Sequence, residues 1–150
     1  MADQSLECPL TKGERILVAV DGSKHSEKAL DQAISMARQC NSRLFAISVI
    51  DMFVESLALA PALEEKMARE TRELLERVKA KVEKEQIPCE TIVRIGGHPH
   101  KYIVEEAKAK DIDLIVMGTH GRTGLKSVLM GSVTERVIGH APCAVLVTPA

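Results

Sequence analysis

The sequence predicts an α/β fold in which a doubly wound parallel sheet carries helices on both faces. Two patterns predict it. Nearly continuous aliphatic runs recur at Ile16–Val20, Leu44–Ile50, Leu114–Met117 and Ala144–Thr148. Such runs suit strands buried on both faces, as in parallel sheets. Between them lie segments whose apolar residues recur at helical spacing, and this alternation is the signature of βαβ units. Right-handed crossovers then restrict the topology to a doubly wound sheet.

The first run ends at Asp21-Gly22-Ser23. Ser23 or Ser26 can cap a helix reaching about Cys40, with Ala29, Leu30, Ala33, Ile34 and Ala37 on one face. Asn41-Ser42 stops it before the second strand. Residues 51–60 read as a connection with an apolar patch, Met52, Phe53, Val54 and Leu57. Pro61 suits the first position of a long helix running to about Gln86. Met67, Leu74, Leu75, Val78 and Val82 form its apolar stripe, and its charged remainder is a solvated face. After Pro88, the β-branched alternation of Glu90–Ile95 predicts a strand. Gly96-Gly97 turns the chain into a helix over Pro99–Lys110, with Ile103, Val104 and Ala107 inward. Beyond Leu114–Met117 come a glycine-rich loop, a helix over Ser132–His140 and the last strand. Residues 1–13 are expected to be a flexible tail, and 14–150 a single domain.

Composition excludes several classes. The chain is 45% hydrophobic and 27% charged, with net charge −1, so no concentrated basic face marks a nucleic-acid binder. Aromatic residues are only 2%, which removes the stacking platforms that single-strand binders use. No stretch approaches the roughly 20 apolar residues of a membrane span, and the polar residues 1–14 hold no signal-peptide core. The cytoplasm is the expected location. Cys8, Cys40, Cys89 and Cys143 lack CxxC spacing and read as free thiols. His98-Pro99-His100 lacks a third ligand and reads as a polar helix entrance rather than a metal site.

The segment that carries chemistry runs from Gly118 to Ser132. It leaves the carboxyl end of a buried strand and enters a helix, the place where ligands bind in open α/β sheets. Ser132 at the N-cap with Glu135 at the third helical position spells a capping box. The first N–H groups of such a helix lack intrahelical partners and carry the positive dipole end, which suits a phosphate. Gly131, Gly118 and Gly121 would let backbone approach an anion closely, with Arg122 and Lys126 adding charge. A Walker loop is excluded because Leu125 precedes Lys126-Ser127, and a dinucleotide fingerprint because the glycines follow the fourth strand.

Gly118, Gly121, Gly131 and Ser132 match G-x2-G-x9-G-[S/T], and the chain here resembles the universal stress protein family. Ile16 to Ser23, Asp113 to Gly118 and His140 to Val147 are similar to that family's first, fourth and fifth strands and their flanks. The resemblance implies a Rossmann-like sheet of the adenine nucleotide alpha hydrolase kind, with five parallel strands in order 3-2-1-4-5. It implies ATP, ADP or AMP across the ends of strands 1 and 4, with or without Mg²⁺ or Mn²⁺. Asp21 would bond the ribose hydroxyls. Ala19, Val20, Val49 and Met117 would line the adenine. Gly118, Gly121, Arg122, Gly131, Ser132, Val133 and Thr134 would surround ribose and phosphates. It also implies a homodimer through the last strand, which would cover an otherwise exposed apolar edge.

Three functions follow from this reading: a nucleotide-responsive stress module, a slow ATPase or autophosphorylating enzyme using His120, Arg122 and Thr123, and a nucleotide-independent interaction dimer. No matched acid–base pair accompanies the phosphates, so no catalytic residue is assigned. Asp21 alone also fits a strand-end turn.

Overall fold

The computed structural model describes residues 7–120 and 130–149. In chain order the elements are β1 (Arg15–Ala19), α1 (Lys24–Cys40), β2 (Arg43–Ile50), α2 (Val54–Ala58), α3 (Pro61–Glu83), β3 (Cys89–Ile95), α4 (Pro99–Ala109), β4 (Leu114–Gly118), α5 (Ser132–His140) and β5 (Ala144–Thr148). The five strands form one sheet of order β3-β2-β1-β4-β5, and each neighbouring pair is parallel. The predicted architecture and strand order are therefore observed. The short helix α2 lies inside a segment that the sequence reads as a plain connection; of its five residues only Leu57 is buried.

Side-chain alternation divides the core. Ile16, Val18, Leu44, Ala46, Leu114 and Val116 pack with Ala29, Leu30 and Ala33 of α1 and Leu75, Val78 and Val82 of α3. Leu17, Phe45, Ile47, Ile115 and Met117 point the other way, onto Ile103 and Ala107 of α4 and Val137 of α5. Ile16, Leu17 and Val18 are each 0% exposed, so β1 is covered on both faces and needs apolar residues without interruption.

Chain direction explains this division. From β1 through β2 to β3 the sheet grows one way. The chain then crosses back beyond β1 to lay down β4 and β5. Right-handed crossovers in opposite directions place their helices on opposite faces. The reversal falls between β1 and β4, whose carboxyl ends border the crevice.

Local signals set the helix ends. The Ser23 side chain caps α1 by accepting from the Ser26 N–H at 3.2 Å, and Asn41 closes it in the left-handed region at φ 52°. Lys81 of α3 reaches Asp31 of α1 at 2.7 Å, an exposed pair that ties the two helices.

The cysteine expectation is corrected. Cys8 and Cys40 form a disulfide across 32 positions, while Cys89 and Cys143 are free. The residues before β1 fold back to the carboxyl end of α1, a proximity that spacing along the chain does not reveal. Leu10 packs beside the α1–α3 cluster. Among the described residues, no helix is long and apolar enough to cross a membrane.

Because Leu17 is wholly enclosed, Leu17→Ala should lower unfolding free energy by roughly 2–5 kcal/mol, measured as a shifted urea midpoint at unchanged slope.

Candidate functional site

The crevice edge is built by β1, β2 and β4. Val18 and Val116 stand side by side in register, and the Val20 N–H extends the pairing of β1 by donating to the Ile47 carbonyl at 2.9 Å. Ala19, Val49 and Met117 all belong to the α4–α5 side of the sheet. Val20 does not share that side: it is 5% exposed and packs in the α1–α3 cluster.

Asp21 follows directly. Its Oδ1 accepts from the Ser23 N–H at 2.8 Å, and its own N–H donates to Ser26 Oγ at 3.2 Å. This is an Asx turn that hands the chain from β1 to α1. Gly22 within it has φ 83°, where a side chain would be strained. The turn reading of Asp21 is thus correct, and the turn fixes its carboxylate at the carboxyl end of β1.

On the β4 side, one hydrogen bond pins the roots of the loop together and a second ties them to β5. The Gly131 N–H donates to the Thr119 carbonyl at 2.6 Å, and Thr119 in turn donates to the Thr148 carbonyl at 3.1 Å. A third bond, buried, runs from Thr134 Oγ1 to the Gly118 carbonyl at 2.8 Å. The first turn of α5 is thereby fastened to the end of β4.

The capping-box expectation is corrected by one residue. Gly131, at φ −70° and ψ 154°, is the N-cap, and being glycine it supplies no side-chain cap. The bond to Thr119 holds Gly131 in the turn, while its carbonyl already accepts from the Glu135 N–H at 3.1 Å. Ser132 is therefore the first helical residue. The N–H groups of Ser132, Val133 and Thr134 have no acceptor inside the helix.

Two of the motif glycines have packing reasons. A Cβ on Gly118 would lie 2.9 Å from His25 Cβ and 3.1 Å from the His25 carbonyl oxygen, so glycine lets the first turn of α1 rest on β4. A Cβ on Gly131 would stand 3.1 Å from the Thr119 carbonyl oxygen. Gly121 and Arg122 lie outside the described residues, as do Thr123, Lys126 and Ser127.

Sequence reasoning misses His25 and Thr148, which the fold brings to Gly118. The His25 ring lies 5.5 Å from that of His120, and Thr148 is paired in register with Gly118. Among the described residues, His25 Nδ1 and Thr148 Oγ1 are both buried without a hydrogen-bond partner. No local pattern signals either residue, because only the sheet order assembles them.

His98 and His100 stand elsewhere, at the head of α4. Their rings continue a row from Phe53 to His140, with centroid steps of 6.4, 6.0 and 6.2 Å. Burial and the nearby Arg136 keep His100 below the usual histidine range. Among the described residues, no group of three side chains could hold a metal ion.

The sequence model of the universal stress protein family matches residues 13–149. The chain belongs to this family. Universal stress protein MJ0531 of Methanocaldococcus jannaschii is 39% identical over 140 residues, covering 89% of this chain and 81% of the relative. The solved structure of MJ0577 is 30% identical, covers 93% of this chain and 97% of its own, and superposes with a TM-score of 0.84. The universal stress protein of Archaeoglobus fulgidus in complex with dAMP is 24% identical over 91% of this chain and 98% of its own, with a TM-score of 0.66.

Thr134 joins α5 to β4 through one buried hydroxyl. Thr134→Val keeps the shape and strands the Gly118 carbonyl, which should cost about 1–3 kcal/mol. Thr134→Ser retains the hydroxyl and should recover most of that loss in the same denaturation experiment.

Proposed function

We propose that this universal stress protein binds an adenine nucleotide, ATP above all, across the carboxyl ends of β1 and β4. In this role it serves in the cytoplasm as a nucleotide-responsive module of the stress response. The supporting observation is the pinned junction of Thr119 with Gly131, which sets the open N–H groups of α5 beside the end of β4. The fixed carboxylate of Asp21 stands at the end of β1, the strand next to it.

Each part then has a chemical task. Ala19, Val49 and Met117 share one side of the sheet and offer an apolar floor to the base, with the main chain at Val20 completing the edge. Asp21 accepts from the ribose hydroxyls. Gly118, Gly131, Ser132, Val133 and Thr134, with Gly121 and Arg122 from the loop, enclose the ribose and phosphates. The amides of Ser132 and Val133 meet the anion at the positive end of the helix dipole. Mg²⁺ or Mn²⁺ would arrive with the phosphates. The dAMP complex of the Archaeoglobus fulgidus protein is consistent with an adenine ligand in this fold.

In the same reading the chain pairs with a second copy through β5. That strand is the sheet's outer member, with Val145, Leu146 and Val147 each partly exposed. Val147→Lys should yield monomers in light scattering; an unchanged dimer would place the interface elsewhere.

Calorimetry with ATP and with its 2′,3′-dideoxy analogue tests the site. Removing the ribose hydroxyls should weaken binding about tenfold, near 1.4 kcal/mol, in the unaltered protein. In Asp21→Ala the two ligands should bind alike. Equal discrimination in both proteins would remove Asp21 from the ribose, and no binding by the unaltered protein would remove the site.

A further inference from the structure

We propose that Cys8 and Cys40 form a reversible thiol–disulfide site, reacting with small thiols, that latches residues 7–12 onto the domain. The covalent partners belong to different parts of the chain. The family match begins at residue 13, so Cys8 lies outside it, whereas Cys40 is the last residue of α1 within it. The bond therefore fastens an added segment to the family's domain.

The anchoring of the main chain changes at Gly13. Ser42 Oγ donates to the Gly13 carbonyl, and the Arg43 N–H donates to the Glu14 carbonyl at 2.8 Å. Asp113 Oδ2 accepts from the N–H groups of Glu14 and Arg15, each at 3.0 Å. Before Gly13, the attachments among the described residues are the disulfide and the packing of Leu10 beside the α1–α3 cluster. Opening the bridge thus leaves residues 7–12 held among the described residues by the packing of Leu10, with β1 in place.

The chain is also shaped around the bridge. A Cβ on Gly13 would lie 2.9 Å from Cys8 Sγ and 3.1 Å from both Cβ and Sγ of Cys40, so only glycine lets the backbone pass there. Cys8 and Cys40 are each partly exposed and open to attack. The other two cysteines are poor competitors for exchange: burial pushes the Cys89 thiol up to about 11 and raises Cys143 as well.

In the reaction, a thiolate attacks Cys40 Sγ, forming a mixed disulfide there as the sulfur–sulfur bond to Cys8 breaks. Cys8 leaves as the thiolate and takes a proton from solvent. It is the favoured leaving group because a Cys40 thiolate would face the negative end of the α1 dipole. A second thiolate attacks the mixed disulfide and releases Cys40. Two thiols are oxidised to one small disulfide as the protein bridge is reduced, and glutathione disulfide drives the reverse.

The full chain is treated with glutathione disulfide or with dithiothreitol, blocked with an alkylating agent and digested with trypsin. The oxidised sample should contain residues 1–12 joined to residues 39–43 and two alkylated cysteines, Cys89 and Cys143. Under native conditions trypsin should cut after Lys12 about tenfold faster once the bridge is reduced. Cys40→Ser and Cys8→Ser should be cut fast in both conditions, and re-oxidation should restore the slow rate only in the unaltered chain. Alkylation of all four cysteines after glutathione disulfide, equal cleavage rates in the two states, or failure to close again would each overturn the latch.

Discussion

The rest of this structure depends on the handedness of parallel crossovers. A chain that lays β2 and β3 on one side of β1 and then β4 and β5 on the other must change faces as it changes direction. The helices α1 and α3 therefore share one side of the sheet, and α4 and α5 the other. The helices that follow β1 and β4 thus lie on opposite faces, and the gap opens between those two strands. Apolar packing supplies the driving force for folding, but this steric rule decides where the gap opens.

At that gap the chain spends polar groups on holding its own backbone. Asp21 and Ser26 fix the turn into α1, while Thr119, Gly131 and Thr134 fix α5 to β4. Each bond involves a residue that the nucleotide reading also uses or adjoins. Preorganisation of this kind lowers the ordering cost of binding, since donors need not be collected from mobile positions.

The sheet was legible because β1 and β4 are buried on both faces, and such strands must be written as aliphatic runs. Helix α3 was legible from Pro61 and from the stripe ending in Leu75, Val78 and Val82. Helix α2 was not, because five residues with one buried leucine make no period. The N-cap of α5 shifted to Gly131 because a main-chain bond to Thr119 outweighed the Ser132–Glu135 pattern. The disulfide and the approach of His25 to Gly118 are tertiary events, and nothing local announces them. The motif located the loop correctly at the end of β4, yet it carried no information on what each glycine touches.

The contacts at Gly118 and Gly131 change how family motifs ought to be interpreted. A larger residue at Gly118 would force His25 aside and one at Gly131 would crowd the Thr119 carbonyl, so a homologue that had abandoned its ligand would still be under pressure to keep them. They report architecture. Asp21 likewise serves the turn into α1, whereas the exposed side chain of Ser132 is not confined in that way and can vary. Ser132 is the better diagnostic when related chains are sorted into binders and non-binders.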